Sequence, residues 1–335
     1  MAHEINRTDR FGEVRSNGKR AWHRLGIEIP DGLSAVEGFR RIGLDWQTSF
    51  APLSADYGGK KIKVPGRAAH MRDDTGSVLG VVADDYPIVQ NLDLAQFTDD
   101  LVGEGGASLE TAGSLRDGKT VFALAKAPEV IRATEQDVVE TYMLVTNGHG
   151  GTGSFAVYPT SVRVVCANTL RWSERDAAKG LSFIHYGKTP TEARLKAAQT
   201  ALGLLRAETE RFREQVDAMV RTNLSVKRAK DLFLAIYEKT FGKIPNDIDS
   251  KMAERLRARR QLILEAWETN FENERQTLAG IKGTAWAALN AVTEWHDHER
   301  GFTDEDSAAR TRGNLFGVSH RDKNKALRAV LAIAK

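Results

Sequence analysis

The sequence predicts an α+β protein, with an antiparallel, β-rich N-terminal half carrying short helices and a C-terminal bundle of long helices. Three observations carry this reading. The first 175 residues break into short β-branched and aromatic runs punctuated by glycine. After Arg175 an apolar spacing of three and four runs unbroken from Leu195 to Met219. The 335-residue chain is 41% hydrophobic and 28% charged, the composition of a folded protein and not of a disordered one. The division expected is a β-rich α+β subdomain over 1–175 and a helical subdomain over 176–335 packed against it.

In the front half, Val36, Phe39 and Ile42 line one face of a helix predicted over Ala35–Leu44, with Gly43 near its stop. A second helix is predicted over Leu92–Leu101, capped by Asn91 or Asp93. Strands are predicted over Val78–Ala83, Val121–Ala125, Thr141–Thr146 and Phe155–Cys166. Arg116-Asp-Gly-Lys119 has the Asp-Gly pair of a tight hairpin turn. In the back half, Leu195, Ala198, Leu202, Leu205, Thr209, Phe212, Val216 and Met219 form a heptad-like seam on one long helix ending near Asn223. Helices over Val226–Phe241, Lys251–Ala279 and Thr284–Glu299 are the elements expected to cover it, with a break at Lys243-Ile-Pro-Asn-Asp247 because Pro245 cannot continue a helix.

No apolar run reaches the roughly 18–20 residues that span a bilayer. The N-terminus lacks the apolar stretch of a secretory signal. The one cysteine, Cys166, excludes an internal disulfide framework and fits a reducing compartment. The expectation is therefore a cytoplasmic protein of a bacterial host cell with no membrane partner. The net charge of +3 is uneven: residues 1–175 carry 20 Lys+Arg against 23 Asp+Glu, and residues 176–335 carry 28 against 22. A basic second half suits a phosphate backbone or a set of salt-bridged, solvated helix faces.

The glycine-rich run Thr146–Phe155 offers backbone N–H groups as nucleotide-binding loops do, but it lacks Gly-Lys-Ser/Thr and precedes a strand where those sites need a helix. It reads as a hairpin loop, with Asn147, His149 and Asn168 as candidate ligand residues. Arg163, in an otherwise apolar strand, marks a buried ion pair or a ligand contact. Cys166 sits mid-strand with nothing local to activate it. Lys19-Arg-Ala-Trp-His-Arg24 interleaves bases with an aromatic ring, so Lys19, Arg20, Trp22 and Arg24, with Arg163 and Arg171, are the candidate nucleic-acid contacts. In His296-Asp-His-Glu299 the two histidines stand about 200° apart on a helix, which gives no metal pair. Trp286, Leu289 and Val292 on the same helix read as core. No catalytic constellation, cofactor site or metal site is expected.

Several motifs resemble those of a phage- and plasmid-associated family, the domain of unknown function 932. They are Trp22-His-Arg-Leu-Gly26, Tyr86-Pro-Ile-Val-Gln-Asn91, Gly113-Ser-Leu-Arg-Asp-Gly-Lys119, Thr146-Asn-Gly-His149 and Pro159-Thr-Ser-Val-Arg-Val-Val-Cys-Ala-Asn-Thr-Leu170. His185-Tyr-Gly-Lys188, Thr284–His298, Phe316-Gly and Lys323-Asn-Lys-Ala-Leu327 continue the match in order. One departure is Gly150, where relatives are expected to carry an aspartate after His149. The resemblance implies a mobile-element setting and transfers no catalytic residue. Two functions are expected from it together with the charge pattern. One is non-enzymatic single-stranded nucleic-acid binding or annealing, Rad52-like by analogy only. The other is a phage structural or assembly protein that forms a homo-oligomer through its helices.

Overall fold

The computed structural model describes residues 10–16, 19–20, 26–151, 155–163, 168–170, 181–183, 191–244, 251–301, 313–314 and 317–334, with backbone alone at 15–16, 19–20, 162–163, 168–170, 181–183 and 191–195. Its front half opens with β1 (Phe11–Ser16), β2 (Lys19–Arg20), β3 (Ile27–Pro30) and helix α1 (Ala35–Arg41). Ser34 caps α1 in a reciprocal box: its hydroxyl accepts from Glu37 N and the Glu37 carboxylate accepts from Ser34 N. The helix stops at Arg41, short of the predicted Leu44, with Gly43 at a φ of 70°.

Next come β4 (Thr48–Tyr57), β5 (Lys60–Arg72) and β6 (Ser77–Ala83), which form a separate three-stranded antiparallel sheet. Only β6 of these three is foreseen by the sequence pattern. Helix α2 (Asn91–Gly105) follows, capped by Gln90 and not by Asn91 or Asp93. Asp93 still contributes, because its carboxylate accepts from Gln90 N at 2.8 Å.

The remaining strands, β7 (Ser108–Leu115), β8 (Thr120–Arg132), β9 (Val138–Gly148), β10 (Phe155–Arg163), β11 (Asn168–Leu170) and β12 (Leu181–Phe183), complete a second sheet in the order β11-β10-β9-β8-β7-β1-β2. Within it, β12 shares an edge of β10 with β11, and β3 pairs β1. Every pairing is antiparallel except β1 with β3. The predicted Asp-Gly turn joins β7 to β8, with Arg116 and Asp117 at φ of 57° and 60°. Residues 164–167 lie outside the described residues, and with them Cys166.

Alternation along β8 decides what covers each sheet face. Val121, Ala123, Ala125 and Ala127 face a core shared with Phe39, Leu94, Phe97 and Leu101 of α1 and α2. The small side chains let α2 lie close on the sheet. Phe122 and Leu124 face the other way, with Leu115, Tyr142 and Leu144.

The helical half holds α3 (Thr191–Arg221), α4 (Val226–Phe241), α5 (Lys251–Glu272), α6 (Ala285–Glu294) and α7 (Val318–Leu331). A 3-10 turn at Glu274–Gln276 ends the α5 region, and a π-helical turn at Trp295–Glu299 continues α6. Lys243 follows α4, and Pro245 lies outside the described residues. From Ala198 to Met219 every seam residue of α3 is buried. The seam is not covered by helices alone, however. Ala198, Leu202 and Leu205 join the core of α2 and the large sheet, whereas Phe212, Val216 and Met219 join the helical core. Gly105 at the end of α2 makes the first of these contacts, since a Cβ there would stand 2.5 Å from Leu202. The turn between β8 and β9 enters the helical half, where buried Asp137 accepts from Trp286 Nε1 at 2.7 Å. Trp286, Leu289 and Val292 are core, as their spacing predicts. No helix among the described residues is long and apolar enough to cross a membrane.

Candidate functional site

Three motifs singled out in the sequence converge on one buried polar cluster. His149, at the end of β9, donates from Nε2 to Asn91 Oδ1 at 2.7 Å. The direction follows from Asn91, whose Nδ2 is committed to Trp46 O at 3.2 Å. Asn147 donates to Val89 O at 2.9 Å, and His149 N donates to Lys119 O at 2.9 Å. The Tyr86–Asn91, Gly113–Lys119 and Thr146–His149 segments are thereby tied together.

The small sheet docks on this cluster. His70 of β5 faces the His149 carbonyl at 2.7 Å, so its Nδ1 carries the proton and donates. Its Nε2 is then an acceptor, buried and without a hydrogen-bond partner among the described residues. Arg72, fully buried, forks onto both Asp74 oxygens at 2.6 and 2.9 Å, donates to Asp117 O, and lies 4.3 Å from the Trp46 ring centre. Trp46 in turn stands 5.3 Å from the His149 ring. Gly80 of β6 is required at the same seam, because a Cβ there would meet the Gly150 carbonyl oxygen at 2.6 Å. Gln90 clamps the start of β4 by accepting from Thr48 N and donating to Thr48 O, both at 2.9 Å.

Burial, reinforced by the nearby His70 and Arg72, lowers His149 to about 3, and burial also lowers His70. Both rings are neutral at physiological pH, and the His149 Nε2 proton is held by Asn91. A general acid or base works best with a pKa near the operating pH. This cluster instead has the properties of a rigid dock that sets the direction of the small sheet.

That sheet projects an arm. Beyond Arg67, β6 no longer pairs with β5, and β4 and β5 continue as a two-stranded ribbon. Val64–Arg67 have no register partners in β4: Pro52 pairs Ala68, and the next pair is Ser54 with Lys63. This long bulge sets the ribbon off from the sheet. From Ser54 to Arg67 every residue except Val64 is exposed. The segment carries Lys60, Lys61, Lys63 and Arg67 against Asp56 alone. None of these four bases forms an ion pair with a described residue. Tyr57 is 78% exposed and Ile62 50%.

The residues singled out in the sequence are dispersed. Asn147 and His149 are buried and engaged as above. Lys19 and Arg20 form β2, in register with Ser16 and Arg15. Arg163 and Asn168 are register partners between β10 and β11, near the opposite end of the strand order. Trp22, Arg24 and Arg171 lie outside the described residues. The sequence reading missed Trp46, His70 and Arg72, which have no local signal. The ribbon had one, Tyr57-Gly-Gly-Lys60, since Gly-Gly between strands marks a two-residue hairpin loop.

A second buried polar group lies in the helical half. Lys323 and Asp297, both buried, pair at 2.5 Å. Arg300 joins Asp322 at 2.8 Å and donates to His296 Nδ1 at 3.0 Å. Glu294 accepts from Arg275 and from Gln276, and Asn270 donates to Glu299 at 2.6 Å. Burial, with Arg300, Lys323 and Lys325 nearby, holds His296 well below its ordinary value. Among the described residues no group of three or more His, Cys, Asp or Glu is placed to hold a metal ion.

A core of helices on a mostly antiparallel sheet, and a mainly helical core that Ile131 of β8 and Val139 of β9 enter, define a mixed α+β protein. The chain belongs to the family described as Domain of unknown function (DUF932), which matches residues 78–328. The match begins at Val78 in β6, so Trp22–Gly26 and the ribbon lie before it. No curated protein and no solved structure matches the chain.

Proposed function

We propose that this is a non-enzymatic nucleic-acid-binding protein, of the DNA-metabolism kind that phages and plasmids carry, and that the ribbon Ser54–Arg67 is its principal contact. The observation that supports this is an exposed arm with four bases that form no ion pair with a described residue, one acid and two exposed apolar side chains, on a sheet that His70 ties to the His149 carbonyl. Phosphate contacts of this kind release counterions, so binding weakens with salt. The basic start of α5, with Lys251, Arg255, Arg257, Arg259 and Arg260 against Glu254, is a second surface of the same sign.

The test is fluorescence anisotropy with labelled oligonucleotides, single-stranded and duplex, across a salt series. With about four phosphates neutralised, affinity for a duplex should fall about 150-fold between 50 and 200 mM salt. The variant with Lys60, Lys61, Lys63 and Arg67 each replaced by Gln should bind more weakly at low salt and lose most of that slope. No binding at 50 mM salt, or an unchanged slope in the variant, overturns the proposal.

The alternative, an assembly protein that oligomerises through its helices, has one observation on its side. Met252 and Leu262 of α5 are 63% and 67% exposed. A monodisperse monomer by light scattering at micromolar concentration would remove it. Self-pairing of two ribbons is disfavoured because it would crowd lysines against lysines.

A further inference from the structure

Resting on the nucleic-acid reading, we infer that the ribbon enters the major groove of duplex DNA and does not serve as a platform for a single strand. The argument begins with its tip. Tyr57 pairs Lys60 across Gly58 and Gly59, whose φ of 58° and 76° make the two-residue turn that a right-twisted hairpin favours. The foremost point of the arm therefore carries no side chain. Behind it, four cross-strand pairs continue without a third strand: Tyr57 with Lys60, Asp56 with Lys61, Ala55 with Ile62, and Ser54 with Lys63.

Directly opposed residues share a face, and successive residues alternate. One face presents Ala55, Tyr57, Lys60 and Ile62, and the other Ser54, Asp56, Lys61 and Lys63. Bases thus stand on both faces of a narrow blade whose backbones are about 4.8 Å apart.

Shape decides between ligands. A single strand is held in a basic groove with several aromatic rings to stack on. The ribbon is a two-stranded hairpin exposed on both faces, and it has one ring, Tyr57. The major groove of B-form DNA is about 12 Å wide and about 8.5 Å deep, and it admits a two-stranded ribbon. In such a pose the glycine tip approaches the base edges, and Lys61 and Lys63 on one face and Lys60 on the other reach phosphates of opposite rims. Tyr57 and Ile62 lie against the groove wall. A-form RNA closes the same route, because its major groove is deep and narrow.

The experiment is a competition on the full chain at about 100 mM salt, with labelled duplex DNA displaced by unlabelled duplex DNA, either of its single strands, or duplex RNA of the same sequence. Duplex DNA should compete about tenfold or more better than either alternative. The doubly substituted Tyr57→Ala/Ile62→Ala chain alters only exposed positions and should lose most of that preference while keeping its salt dependence. Equal competition by single strands or by duplex RNA overturns the inference and leaves nucleic-acid binding standing. An undiminished preference in the double variant also overturns it. Absence of binding to all three probes at low salt removes the parent reading instead.

Discussion

His149 makes the native state acid-labile by a calculable amount. Buried against Trp46 and His70, it titrates at about 3 when folded, against 6.5 for an exposed ring. Between those values the unfolded chain binds more protons than the native one, so stability falls as pH drops. Lowering pH from 7.5 to 4.5 should remove about 2.7 kcal/mol through this residue alone, at about 1.4 kcal/mol per unit. Because pH 4.5 lies well above the folded value, the loss is governed by the unfolded pKa and hardly by how far below 4.5 the native ring titrates. His70 and His296 are shifted in the same direction and add to it. Such a loss is a sizeable part of the 5–15 kcal/mol that an ordinary fold commands. The measurement is urea unfolding followed by tryptophan fluorescence at pH 7.5, 6.0, 5.0 and 4.5, on the native chain and on His149→Gln. The variant should start less stable at pH 7.5 and lose about 2.7 kcal/mol less on acidification. Identical pH dependence in the two proteins would refute the reasoning.

Glu110 carries the opposite dependence. Burial, with Glu140, Glu13 and Asp31 nearby and Lys126 only partly compensating, raises it to about 7. The native state therefore holds its proton between the unfolded and folded values, and that stability is lost as pH rises through 7. Glu110→Gln should stabilise the protein by about 3 kcal/mol at pH 8 and hardly at pH 4.5, as read from urea midpoints. In the helical half, Lys323→Met removes the ammonium paired with the buried Asp297 carboxylate and should cost about 3–5 kcal/mol. Adding Asp297→Leu should recover most of it, and a double variant no more stable than the single would contradict the pairing.

The helical half was readable because its period is local. The seam of α3, the bounds of α4 and the core stripe of α6 all follow from three- and four-residue spacings within one element. The strands of the large sheet were readable where β-branched residues cluster, as in β9 and β10. Of the small sheet only β6 was, since Ser54–Arg67 of β4 and β5 lacks an alternating apolar face: both of its faces are exposed. The dock was half legible. Asn147, His149 and Asn91 fall in motifs, but their partners His70 and Trp46 lie far off in sequence, and only the tertiary fold joins them. His149 stands out in a glycine loop as a potential ligand group, whereas its actual engagement with Asn91 depends on α2 arriving from 58 residues earlier.

Helix α3 is 31 residues long, about 46 Å at the usual rise. One stripe of its side chains is set in two cores, with the buried Thr209 at the crossing. Mechanically it is an axle with a bearing at each end. It cannot roll in the helical half without driving Leu202 and Leu205 against α2. The first residue of α2 is Asn91, which holds His149, whose carbonyl holds His70 at the root of the arm. A torque applied where Phe212 and Met219 sit thus has a continuous packed route to the angle at which the ribbon leaves the body.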